Sequence, residues 1–201
     1  MIAKVAPLRR LPGKLSVLDY ACDPAMKLEP GMLVKMPFRK SEIFGVILSL
    51  SHKPSVAQHK LATIKEAVWD TPLLSVEYLE LAQELSATYA SPLGPIINSM
   101  CPPLQTRKLS KQKLSPTLPQ NGTYRRSYLW YSTFEQKKKW FEETNQEEQT
   151  LIIVPEIRHL NQWKADLIFH SNLTVKQKYE AYFAARNGEA KTIIGTRGAL
   201  F

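Results

Sequence analysis

Two stretches set the reading of the front of this chain: Glu29-Pro30-Gly31-Met32-Leu33-Val34-Lys35-Met36, and Arg39-Lys40-Ser41 followed by Ile43-Phe44-Gly45-Val46-Ile47-Leu48-Ser49-Leu50. Each is a turn followed by a short run of β-branched, aromatic and other apolar residues, the pattern of a strand rather than a helix. Working outward, Met1 to about Leu74 is expected to be a small, mostly β module. From Ser75 the apolar period lengthens. Tyr78, Leu81, Ala82, Leu85 and Tyr89 fall close to helical spacing, Ser75 is placed to cap, and Pro92 with Gly94 to end the run. That helix is expected to pack on the strands.

Pro102-Pro103 closes the front module, giving a domain over residues 1–104. The stretch 105–126 has no apolar periodicity and reads as a linker. It is also basic: Arg107, Lys108, Lys111, Lys113, Arg125 and Arg126 occur with no acidic residue between Gln105 and Arg126. Such a tract either follows a phosphate backbone or is a solvated linker kept soluble by its charge; both readings stay open. In residues 127–201, Ser127 to Trp130 reads as a short strand and Phe134 to Glu143 as a helix. Thr150-Leu151-Ile152-Ile153-Val154 reads as a fully buried strand, Lys176 to Arg186 as a helix, and Lys191-Thr192-Ile193-Ile194-Gly195 as another buried strand. The alternation predicts an α/β lobe behind the β-rich front, hence α+β / α/β overall.

The 201 residues are 44% apolar, enough for a buried core, and no apolar run approaches the length that spans a bilayer. With no continuous apolar stretch at the start, the protein is expected to be cytoplasmic, with no membrane partner. Cys22 and Cys101 lack zinc or disulfide spacing and read as two reduced core thiols. The formal charge of +9 favours a polyanionic partner.

Two pieces of the rear half are specific. Leu151-Ile152-Ile153-Val154-Pro155-Glu156-Ile157 runs a strand into Pro and Glu at its carboxyl end, where open α/β sheets bind ligands. The other is Gly188-Glu189-Ala190-Lys191-Thr192-Ile193-Ile194-Gly195-Thr196-Arg197-Gly198-Ala199-Leu200-Phe201, with His170-Ser171 between the two. These resemble the early motifs of superfamily 2 DNA helicases, in the form found in the PriA replication-restart helicase family (primosomal protein N′). The front half carries the same resemblance in order: Leu18-Asp19-Tyr20, then Leu28 to Phe38, Gly45-Val46-Ile47, Pro72-Leu73-Leu74-Ser75 and Tyr89 to Gly94.

The resemblance implies a front module that captures the 3′ end of a nascent strand and a rear partial RecA-like lobe. It implies a pocket for a terminal nucleotide in which Leu18 supports the base and Asp19 contacts the end. A carboxylate accepts a hydrogen bond from a free 3′ hydroxyl and repels the phosphate of an internal nucleotide. Asp19 as a backbone-bonding turn residue, and Tyr20 as core rather than pocket, are the competing structural readings. Arg39 stands where the family usually has Gly and either fills the pocket or, with Lys40, adds a phosphate contact. The family's pocket lysine falls at Lys60 or Lys65. In the rear lobe, Thr196 and Arg197 are expected on a strand backbone, as is the Glu156 loop. Partners implied are forked, 3′-ended or single-stranded DNA, with single-stranded-DNA-binding protein and other primosome proteins.

The family's ATPase chemistry needs a Gly-rich loop whose bare backbone N–H groups wrap the phosphates, followed by Lys and a hydroxyl. Tyr128-Leu129-Trp130-Tyr131-Ser132-Thr133-Phe134-Glu135-Gln136-Lys137-Lys138-Lys139, ahead of Val154-Pro155-Glu156, contains no glycine. The sequence at hand also reaches Phe201 before an Asp-Glu-Glu-His segment. No autonomous ATPase and no cofactor are therefore expected, and the family's zinc-site cysteines are absent. In the alternative reading, the chain is a piece of an ATP-dependent 3′–5′ DNA helicase whose remaining motifs lie beyond residue 201; only then would ATP and magnesium be bound.

Overall fold

The computed structural model describes residues 1–11, 15–52, 61–104, 114, 126–144 and 149–200. The chain divides into two compact units, residues 1–117 and 118–201, and the architecture is mixed α+β, with an antiparallel sheet in front and a parallel one behind.

Among the described residues the front unit holds five strands, β1 (Ile2–Pro7), β2 (Leu18–Ala21), β3 (Leu33–Phe38), β4 (Ser41–Ser51) and β5 (Glu66–Ala67), in the order β2-β1-β4-β3-β5. The expected strands around Met32–Met36 and Ile43–Leu50 are β3 and β4, joined through the turn Arg39-Lys40 in the register Phe38 opposite Ser41. The interior strand β1 and the edge strand β2 fall within the expected β module, though the sequence did not single them out. The sheet curls almost shut, because Ala21 at the end of β2 donates to Ala62 O (2.9 Å) and accepts from Ile64 N (3.0 Å), just upstream of β5. Inside the curl lie Val5, Tyr20, Val34, Met36, Ile47 and Ile64, all buried. Gly31 makes the turn before β3 possible. At φ +86° it lets its N–H reach Ile47 O (2.7 Å) and its carbonyl receive Leu73 N (2.9 Å).

Ser75 caps helix α1 (Val76–Thr88), its side chain accepting from Tyr78 N as its position predicts. The buried face differs from the expected stripe. Leu79 and Ala82 are buried, whereas Tyr89 is 73% exposed. The run ends before Pro92 as expected, α1 stopping at Thr88, and Pro92 then starts a second helix, α2 (Leu93–Ser99), inside which Gly94 lies so close to β1 that a Cβ would stand 2.0 Å from Pro7 O. Within the expected linker, Leu114 is buried and its carbonyl accepts from Thr71 Oγ1 (3.3 Å), so the front unit reaches past Pro103.

The rear unit carries α3 (Phe134–Thr144), β6 (Thr150–Ile153), β7 (Leu167–Phe169), α4 (Val175–Arg186) and β8 (Thr192–Gly195), the strands forming a parallel sheet in the order β6-β8-β7. Thr174 and Gln177 close a reciprocal cap at the start of α4. Two expectations are corrected. Ser127 to Trp130 forms neither strand nor helix and lies exposed. Strand β6 is not fully buried: it is an edge strand, with Leu151 at 41% and Ile153 at 38% exposure, while Ile194 on the central β8 is sealed at 0%. Periodicity reports the hydrophobicity of a run, not whether a neighbour covers both its faces. No described helix is long and apolar enough to cross a membrane.

Candidate nucleic-acid interface

The strand directions gather the expected front residues. β1 finishes and β4 begins at one end of the curled sheet, since Pro7 lies opposite Gly45; β2 begins there, with Leu18 opposite Val5; and β3 finishes there, at Phe38. Arg9, Phe38, Arg39 and Lys40 therefore stand together as a rim at the β3–β4 turn, and Leu18 and Asp19 are joined to it through the next residue of β2. The Tyr20 hydroxyl spans the interior to donate to Pro37 O (2.8 Å), tying the start of β2 to the hairpin tip.

Tyr20 itself is corrected from pocket residue to core residue, with its ring 4% exposed and desolvation raising its hydroxyl pKa. It shapes the rim from below and offers no face to a base. Leu18 packs against the same core, so strand alternation turns Asp19 to the other face of β2. A pocket using both would wrap the strand edge rather than sit on one face of it. Lys4 is the register partner of Asp19.

Arg39 takes φ +55°, in the left-handed region that glycine occupies freely. Its guanidinium lies 5.6 Å from the centroid of the Phe38 ring, and that of Arg9 lies 6.0 Å from the same ring. Arg9 and Phe38 were missed in the sequence; the only signal was the Arg9-Arg10 pair straight after an apolar run. Arg39 and Lys40 are exposed. Lys65 stands beside this turn, at Glu42, the register partner of Pro37. It pairs with Glu42, which Lys35 also holds at 2.9 Å, and these two lysines pull the Glu42 carboxyl down to about 2. Lys60 and the linker cations Arg107, Lys108, Lys111, Lys113 and Arg125 lie outside the described residues; Arg126 is described and exposed.

In the rear unit, the carboxyl ends of all three strands open on a cleft of about 520 Å³. It is lined by Pro155, Glu156 and Arg158 after β6, Ser171 after β7, and Thr196, Arg197 and Gly198 after β8. Glu156 is held by Arg158 through a double contact, Nε to Oε2 at 2.8 Å and Nη2 to Oε1 at 3.1 Å. Its charge is thereby offset, which leaves Arg197 to set the sign of the cleft. The motifs that stand forty residues apart in sequence thus meet at one sheet end. Both cysteines are free, and burial pushes the Cys101 thiol up to about 12, the state of a packing residue rather than a nucleophile.

Residues 10–102 match the family of the PriA 3′DNA-binding domain (3′BD). This segment is similar to the PriA-type 3′DNA-binding domain. The rim described above lies within or beside it. The chain as a whole is similar to the replication restart protein PriA of Rickettsia felis, 26% identical across 98% of this chain and 35% of that protein. The PriA proteins of Helicobacter pylori strain J99 (26% identical, 85% of this chain, 31% of theirs) and Rickettsia prowazekii (25%, 94% and 34%) are similar too. The chain spans about a third of the length of these curated relatives.

Proposed function

We propose that the chain is a DNA-binding protein of replication restart whose 3′DNA-binding domain takes 3′ ends or forked DNA, and that it does not hydrolyse ATP by itself. The observation that carries the reading is the grouping of Arg9, Arg39 and Lys40 about Phe38, with the strand of Asp19 tied to that turn by the hydrogen bond from the Tyr20 hydroxyl to Pro37 O. A carboxylate tied to a rim of cations selects a terminus: the cations hold the phosphates leading to the end, and the carboxylate accepts from the 3′ hydroxyl. Lys60 or Lys65 completes the pocket, and the ion pair of Lys65 with Glu42 favours Lys60. In the rear unit, read as a partial RecA-like lobe, Thr196 and Arg197 contact the strand backbone.

The reading of ATP rests on the segment ahead of β6. It has no glycine, and the first turn of α3 is occupied by its own side chains. Thr133 Oγ1 accepts from Gln136 N (3.3 Å) and Gln136 Oε1 accepts from Ser132 N (2.9 Å), leaving those N–H groups unavailable to a phosphate. A triphosphate does not fit these residues. The strand-end cleft and the length of the relatives favour a second reading, a piece of an ATP-driven helicase; single-stranded-DNA-binding protein and primosome proteins are proposed partners under either.

The test is an anisotropy titration with forked DNA ending in a 3′ hydroxyl or a 3′ phosphate. The parent is expected to prefer the hydroxyl by about tenfold, the scale of one hydrogen bond to a charged group. Asp19→Ala is expected to erase that preference while leaving affinity for the blocked fork largely intact. Preference retained in the variant overturns the pocket; DNA-stimulated ATP turnover by the purified chain overturns the second half of the proposal.

A further inference from the structure

The segment just ahead of α3 has an exposure pattern that packing does not account for. Tyr128 is 77% exposed, Leu129 39%, Trp130 94% and Tyr131 48%, four successive large side chains left in solvent on a stretch that forms neither strand nor helix. Aromatic rings bury the largest area per residue of any side chains, so leaving a Trp almost wholly exposed forgoes a large hydrophobic gain. Scattered exposed apolar residues need no explanation; a contiguous group with three aromatic rings does.

What flanks the group says what it suits. Arg126 precedes it, and Lys137, Lys138 and Lys139 follow on α3, against the single carboxylate of Glu135 in between. Lys137 Nζ stands 5.2 Å from the centroid of the Tyr131 ring and 5.2 Å from that of Trp163, so a cation is already seated at the inner end of the aromatic row. Helix α3 is held in place behind it, with Phe134 and Phe141 edge-on to Trp163 at 5.3 and 5.5 Å. Rings open to solvent beside two ring-seated ammonium groups, Lys137 and Lys138, the latter 5.0 Å from the Phe134 centroid, are the two components of a site for single-stranded nucleic acid: bases stack on the rings and phosphates meet the ammonium groups. A protein partner would be expected to meet a less cationic surround, since lysine is depleted at protein–protein interfaces.

We infer that Tyr128, Trp130 and Tyr131, with Lys137 and Lys138, form a stacking platform for single-stranded DNA in the rear unit, independent of a free 3′ end. The inference rests on the reading of the chain as a DNA-binding protein, and adds a site outside the 3′DNA-binding domain and outside the strand-end cleft. Because stacking tolerates any base, the platform binds without sequence preference, and because its grip combines rings with cations, its affinity falls with salt.

The full chain is titrated with a fluorescent oligothymidylate whose 3′ end carries a phosphate, so that end capture does not contribute. Trp130→Ala and the double change Tyr128→Ala/Trp130→Ala are expected to weaken this binding by about tenfold per ring, and Trp130→Phe to restore most of it. Both positions are exposed, so circular dichroism and the melting temperature should stay at the parent values. In parallel, the preference for a free over a blocked 3′ end on forked DNA should survive in the double variant. Blocked-strand affinity unchanged in the double variant overturns the platform and assigns the rings to a protein partner. A parent that takes free-ended forks but ignores the blocked strand overturns the platform alone, whereas a parent that binds neither overturns the DNA-binding reading beneath it.

Discussion

Arg39 separates backbone cost from charge in one position. Its φ of +55° places an L side chain where the left-handed conformation costs about 1–2 kcal/mol, and its guanidinium rests on Phe38 at 5.6 Å, worth about 0.5–1 kcal/mol at an exposed site. Arg39→Ala keeps the strain and loses the ring contact. Arg39→Gly loses the ring contact too but relieves the strain, offset by about 0.5–1 kcal/mol for the greater freedom of glycine in the unfolded chain. The glycine variant should therefore be the more stable of the two by about 0.5–1 kcal/mol, roughly 2–6 °C in melting temperature for a domain of this size. Both variants remove the same cation, so both should lose DNA affinity equally, with the slope of log K against log salt shallower by about 0.7–0.9. The assays are thermal melts followed by circular dichroism and anisotropy titrations across a salt series. Equal melting temperatures for the two variants would refute the strain. An unchanged salt slope, or tighter binding by the glycine variant, would show that Arg39 occupies the pocket instead of gripping a phosphate.

Gly31→Ala is expected to cost at least about 3 kcal/mol in urea unfolding, because the new Cβ would stand 1.9 Å from Leu74 O in a backbone held at φ +86°; a loss under about 1 kcal/mol would mean the turn can re-form elsewhere. Glu42 governs an acid limb. Its folded carboxyl is depressed to about 2 by Lys35 and Lys65, so the stability it contributes is present above its ordinary value of 4.5 and is lost as pH falls through about 2. Between those limits the urea midpoint of the parent should fall more steeply than that of Glu42→Gln, less so at high salt because the group is exposed; parallel curves would remove the clamp.

The front strands β3 and β4, the cap at Ser75 and the α/β alternation behind were legible because each is a local pattern: turn residues, apolar period, a side chain that bonds its own backbone. The interior strand β1 was not singled out. Ile2-Ala3-Lys4-Val5-Ala6-Pro7 is short and weakly patterned, and it is a strand because β2 and β4 flank it on both sides. The stripe on α1 was misplaced for a related reason. Tyr89 and Leu79 are both large and largely hydrophobic, and only the position of the packed neighbours decides which is covered.

The residues of the candidate sites were named from the order of the motifs, but their roles were sorted by packing. The sequence alone determined the two-part α+β organisation, the surplus of positive charge, the family resemblance and the lack of glycine ahead of β6, since each is a property of neighbours along the chain. Tertiary structure alone decided that Tyr20 is core, that Lys65 pairs with Glu42, and that Arg39 takes a left-handed backbone. It also decided that Glu156, Ser171 and Arg197 share one cleft and that four large side chains ahead of α3 face water. Burial, pairing and convergence depend on contacts between residues distant in the chain, and no local pattern encodes which distant residue will arrive.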